Sequence, residues 1–182
     1  MELIRCTGKL QKEMGLKPKD LETRESDNAC LGQWHANLIY IDRRKTLLFV
    51  NDRTRFNFIV PDVPQARIRQ LDDLFRFMLS CVLADEQVPD ATREKILDEY
   101  SEIGFAKSSN RSVLGSINDL AFHYELHILR EGGIHTPLVP QIIRNQNRLP
   151  MKAIEYGFPI EKLADLYGFK PLRDKRLGFL EG

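Results

Sequence analysis

The chain has 182 residues with 27 lysines and arginines against 26 aspartates and glutamates, a formal net charge of +1 at pH 7. No global field therefore draws it to nucleic acid or anionic lipid, and any such contact must come from a local patch. A chain of this length forms one domain that buries about two thirds of its unfolded surface without staples, and its cysteines, Cys6, Cys30 and Cys81, lacking a CxxC pair, exclude both a disulfide framework and a cysteine-rich zinc site.

In chain order, MELIRCTGKLQKEM carries charges every few positions and lacks the apolar run of a signal peptide, so a reducing, cytoplasmic compartment is expected. Nothing in the chain approaches the ~18 apolar residues of a membrane span, and no membrane partner is expected. Residues 6–16 read as a strand end entering a helix, followed by KPKDLETRESDN, where Pro18 and the absence of an apolar period mark a loop. WHANLIYI, TLLFVN and FNFIV then alternate with period two, separated by DRRK and DRTR at hairpin length, which predicts an antiparallel meander. From Val63 the spacing turns helical, with Ile68, Leu71, Phe75, Met78 and Val82 sharing a face through Cys81. After Val88 and Pro89, Asp90 is the expected N-cap of a second helix with Ile96, Leu97 and Tyr100 inward. EIGFAK predicts a short strand. Asn110 to Arg130 predicts a long helix, capped by Ser109 or Asn110 and ended by Gly132 and Gly133.

Gln141 to Asn147 predicts one more helix, after which Pro150, Pro159 and Pro171 divide the chain into short pieces. IEKLADLYGF resembles the first half of a helix-turn-helix, but FKPLRDKRLGFLEG leaves too little for a recognition helix, so residues 160–182 read as a peripheral helix with a basic tail. The whole is expected to be a single α+β domain over residues 1–182, an antiparallel meander sheet of about four or five strands packed against helices.

The helix from Asn110 onward carries two opposed stripes. At ~100° per residue, Val113, Leu114, Ile117, Leu120, Ala121, Tyr124 and Ile128 share one face, while Ser112, Ser116, Asp119, His123, His127 and Arg130 share the other. The second stripe is the candidate site, with Asp119 and His123 as candidate catalytic residues and Ser112 and Ser116 as ligand contacts. His123 and His127 have the i, i+4 spacing of a metal-binding couple, and a divalent metal assisting hydrolysis with Asp119 is the enzymatic alternative. HYELH is not HExxH, however, and Asp119 lies about 12 Å of helical rise from His127. Further ligands would have to come from His35, His135 or a cysteine; the competing reading is a solvated stripe with no metal. A serine triad is excluded by order, since Asp119 falls between Ser116 and His123, and LGSIN is not a GxSxG elbow. An interior Gly115 costs up to ~1 kcal/mol of helix propensity, which suggests close packing of another backbone, or alternatively room for a ligand. At the N-terminal end, Arg111 and Lys107 beside exposed N–H groups suggest an anion cradle, against the alternative of an ordinary cap.

In the meander, strict alternation sends His35 and Asn37 to one face and Trp34, Ala36, Leu38 and Tyr40 to the other. If the first face meets the helical stripe, a cleft with His35, Asn37, Asp119 and His123 results. Arg43, Arg44, Lys45, Arg53 and Arg55 crowd the turns, and with Trp34, Tyr40 and Phe56 they suggest a phosphate-contacting, base-stacking patch for nucleic acid. Solvated hairpin turns are the alternative.

With WHANLIYIDRRKTLLFVND, FAKSSNRSVLGSINDLAFHYELH and NRLPMKAIEYGFPIE in that order, the chain resembles a bacterial family of domains of unknown function. The resemblance implies a bacterial cytoplasmic protein and carries no activity, cofactor or catalytic residue. The reading that results is a small intracellular binding or regulatory module whose partner is a protein, a nucleic acid or another phosphate-bearing ligand.

Overall fold

The first residues of the chain form an interior strand of the sheet. In the computed structural model, which describes residues 1–26 and 29–173, β1 (Glu2–Cys6) pairs in parallel with both β2 (Trp34–Ile41) and β5 (Ile103–Lys107). β3 (Arg44–Asn51) and β4 (Asn57–Val60) continue antiparallel from β2, giving the order β4-β3-β2-β1-β5. The sheet is therefore mixed, and the antiparallel meander expected from alternation holds for β2 to β4 alone. β1 escaped that expectation because a strand covered on both faces does not alternate: Glu2, Leu3, Ile4 and Cys6 are all buried. Helix α1 (Gly8–Met14) supplies the crossover that a parallel connection requires. The β2–β3 hairpin closes through Asp42 and Arg43, both left-handed at φ 51° and 61°, the conformation that matches the twist of the flanking strands.

One face of the sheet presents Trp34, Phe49 and Phe58, whose rings lie 5.3 to 6.1 Å from that of Phe75 in α3 (Leu71–Asp85). α1, α2 (Gln65–Ile68) and α4 (Asp90–Glu99) complete that layer, with Tyr100 packed edge-on against Phe75. Cys81, expected on the inner face of α3, is exposed, and the residue before α4 is Pro89, so Asp90 opens the helix instead of capping it and pairs with Arg93. On the other face lie α5 (Arg111–Arg130) and α6 (Val139–Gln146). They are fastened to the edge strand by a buried amide network. Tyr124 donates to Asn57 Oδ1 at 2.7 Å, Asn57 N donates to Asn147 Oδ1 at 2.9 Å, and Asn147 Nδ2 donates to Asn57 O at 2.7 Å. Asn147 thus takes the place of a further strand on β4.

The last helix, α7 (Pro159–Tyr167), is integral where a peripheral one was expected. Ile160 and Leu163 are buried in the core, Ile160 N donates to Asn147 O, and Tyr167 donates to Glu99 Oε1 at 2.6 Å. Apolar spacing at only four positions in a short helix gave no indication of how deep it sits. The basic tail falls at residues 174–182, outside the described residues. Among the described residues, no helix is long and apolar enough to cross a membrane.

Candidate functional site

Local chemistry fixes both ends of α5. Asn110 Oδ1 accepts from Ser112 N at 3.0 Å and Val113 N at 3.3 Å, satisfying two of the N–H groups that a helix start leaves open. Gly133, at φ 102°, turns its N–H back to Ile128 O. Between these ends Val113, Ile117, Leu120, Tyr124 and Ile128 are buried against the sheet, as their spacing predicts. The opposite side divides into two strips where one was expected. Phe122, Leu126 and Leu129 are exposed to solvent, whereas Arg111, Ser112, Gly115, Ser116, Asp119, Leu120 and His123 line a cavity of about 680 Å³. Its second wall is Gln146 and residues 149–153.

One buried polar atom on these walls lacks a partner. Gln146 is buried and its Nε2 has no hydrogen-bond acceptor. Ser112 Oγ accepts from Arg55 Nη2 at 3.4 Å, and Ser116 donates back to Ser112 O at 3.2 Å. A Cβ built on Gly115 would meet no atom within 4 Å. This corrects the packing account of that glycine, since no neighbouring backbone approaches and the missing side chain leaves the cavity open. The apolar remainder is Leu120, Leu149, Pro150, Met151 and Ala153, an arrangement of a few convergent polar groups on an apolar surface that suits a small ligand.

The expected cleft between this stripe and the sheet does not form. His35 is wholly buried, with Nδ1 2.9 Å from Ser108 Oγ and Nε2 3.7 Å from Asp52 Oδ1, and Asn37 Oδ1 accepts from Thr7 Oγ1 at 2.7 Å. α5 packs on β2 with its apolar stripe, and His35 and Asn37, partnered instead by Ser108 and Thr7, are absent from the cavity wall. Burial pushes the His35 imidazole down to about 4, against the pull of Asp52 and with the repulsion of Arg5 and Arg55. Ser108, His35 and Asp52 stand in the order of a triad, yet the His–Asp separation exceeds a hydrogen bond and Ser108 does not line the cavity. They tie β5, β2 and the β3–β4 turn together.

The basic patch is likewise dispersed. Arg43, Arg44 and Lys45 lie at one end of β3 and Arg53 and Arg55 at the other, on the order of 20 Å apart along eight strand residues. Arg44 faces Asp62, Lys45 pairs with Glu13, and Arg55 is buried against Asp52. Trp34 and Phe56 are fully buried, so of the three expected stacking rings Tyr40 alone is exposed, opposite Lys45 and with Lys9 Nζ 4.5 Å from its ring centre. For a metal, the His123 and His127 rings stack at 6.3 Å, and burial, then the neighbouring His123 and Arg130, hold the His127 pKa down. No third donor joins them: His35 is enclosed in the sheet, His135 faces Asp62 at 3.9 Å, and no cluster of three or more His, Cys, Asp or Glu suited to an ion occurs among the described residues.

Of the residues that sequence reasoning missed, Gln146 ends the helix expected over residues 141–147 without having been singled out, and Lys152 with the rest of residues 149–153 comes from a proline-divided segment that carries no periodic signal. Arg55 was assigned to a solvent-facing patch because its left-handed conformation, φ 60°, which folds it back under the turn, is unreadable in DRTR.

A mixed α+β sheet domain with a polar-edged cavity beside α5 is the class that fold and site define. The chain belongs to the family described as Domain of unknown function (DUF6933), whose model matches residues 3–162. No curated protein and no solved structure matches it.

Proposed function

We propose that this protein is a small-molecule-binding module of the bacterial cytoplasm, its ligand seated between α5 and residues 146–153. The observation that carries this reading is a cavity of about 680 Å³, within the range of ligand sites, whose wall holds a buried amide nitrogen, Gln146 Nε2, without an acceptor. A buried donor left unbonded costs about 1 to 3 kcal/mol, a cost that a ligand acceptor removes. Arg111 and Lys152 supply positive charge, Asp119 and His123 lie two to three helical turns further along, and the apolar wall between covers the ligand's body.

Gly115 provides the test. Leucine at this position has open space before it and gains close to 1 kcal/mol of helix propensity over glycine, so Gly115→Leu should melt no lower than wild type while its side chain occupies the cavity. With 1-anilinonaphthalene-8-sulfonate as a probe, having an anionic group on an apolar body, fluorescence titration should show one saturable site in wild type and at least tenfold weaker binding in Gly115→Leu. Equal titrations, or no saturable site in wild type, would overturn the reading.

A further inference from the structure

Resting on that cavity, we propose that its Arg111 end is a seat for a phosphomonoester, so that the ligand is a small phosphorylated compound with an apolar or aromatic body. The helix start supplies the direction of charge: α5 is 20 residues long, with its positive dipole end at Arg111. The backbone N–H groups of Ser109, Asn110 and Arg111 donate to no described residue. On the cavity wall the buried Gln146 Nε2 lacks an acceptor, which points independently to a ligand that carries one. Arg55, buried off that wall beside Ser112, has an Nε without an acceptor.

Arg55 sets the charge behind the seat. Its guanidinium approaches Asp52 Oδ1 at 3.3 Å and gives one Nη2 proton to Ser112 Oγ. With its lone pair so engaged, the Ser112 hydroxyl has its own proton to donate into the cavity. Arg111 and Lys152, both on the cavity wall, have no carboxylate partner among the described residues. Asp119 stands about 12 Å of helical rise from Arg111, too far to neutralise that end. Two free cations, a helix start, a polarised hydroxyl and an amide donor outnumber what one carboxylate would use, and they match the two charges and three acceptor oxygens of a phosphate ester.

The experiment is an amide-resolved NMR titration of the full chain with inorganic phosphate, phenyl phosphate and phenol, at constant ionic strength held with sodium chloride. Inorganic phosphate should give saturable shifts at the amides of Ser109, Asn110 and Arg111 and at the Gln146 side chain. Phenyl phosphate should shift the same groups at least tenfold more tightly, and phenol should leave the Ser109 to Arg111 amides unmoved. Arg111→Ala, a change at an exposed side chain that should leave the fold intact, should weaken phenyl phosphate at least tenfold. Shifts no larger than those from chloride, or phenyl phosphate binding unchanged in Arg111→Ala, would overturn the phosphate seat. The naphthalene sulfonate titration against Gly115→Leu separates the two failures, because a lost phosphate seat with a Gly115-dependent site leaves the cavity in place, whereas a Gly115-independent probe removes the cavity reading itself.

Discussion

Asn147→Ala should cost about 3 to 5 kcal/mol of stability, because it strips β4 of the side chain that stands in for a neighbouring strand. The amide of Asn147 accepts from Asn57 N and Nδ2 at 2.9 and 3.2 Å and donates to Asn57 O and Ile143 O at 2.7 and 3.0 Å. Both residues are fully buried, so water cannot replace what is lost, and each orphaned backbone group of Asn57 contributes about 1 to 3 kcal/mol. The Ile143 carbonyl keeps its bond from Asn147 N, which limits the total. Asn147→Asp is a second measure: it preserves shape and acceptor but removes both donated bonds and brings a carboxylate beside Asn57 O, so it should destabilise at least as much as alanine. Chemical denaturation of the three proteins decides the point. A loss below about 1 kcal/mol in both variants would show that β4 holds its position without this amide.

The same network marks how far the sequence could be read. Alternation gave β2 to β4 and the 3.6-residue period gave α3 and the buried stripe of α5, since in those segments each residue's environment is set by its own element. That α5 is capped at Ser109 or Asn110 was legible for the same reason, and the structure has Asn110: the cap is a contact between residues two and three apart. What failed was whatever depended on partners distant in the chain. β1 pairs with strands that begin at Trp34 and Ile103, and its buried glutamate resembles a surface residue until Ala29 N is found to donate to it. The candidate site divided along the same line. Of the stripe grouped by helical period, Ser112, Ser116, Asp119 and His123 come together on one wall, joined by Arg111 of the expected anion cradle, while His127 and Arg130 do not line it. His35 and Asn37 were joined to them by a guess about which face meets which, and most of the opposite wall, residues 149–153, has no period to read.

His35 should make the protein progressively less stable between pH 6.5 and 4. Its imidazole is fully buried and held neutral by burial, with a pKa lowered to about 4 from an ordinary 6.5. Above pH 6.5 both the folded and the unfolded chain carry it uncharged, so it makes no difference to stability. Below that pH the unfolded chain takes up a proton that the folded one refuses, and the unfolded state gains by about 1.4 kcal/mol per pH unit until the folded pKa is reached, about 3 kcal/mol in all. His127, also held low, adds a smaller loss of the same sign, reduced by its partial exposure. Carboxylates titrate across the same window, so the measurement is a difference: urea unfolding of wild type and His35→Asn at pH 7, 6, 5 and 4. Asparagine places an acceptor near the position of Nδ1, where the Ser108 hydroxyl can still donate, and has no proton to gain. The variant should be less stable than wild type at pH 7, because it leaves part of the ring's volume empty. The gap should then close by about 3 kcal/mol toward pH 4. A gap that stays constant would mean that His35 accepts its proton inside the folded protein, as an open ion pair with Asp52, and that the enclosed Ser108–His35–Asp52 tie between the strand ends is not what holds this end of the sheet.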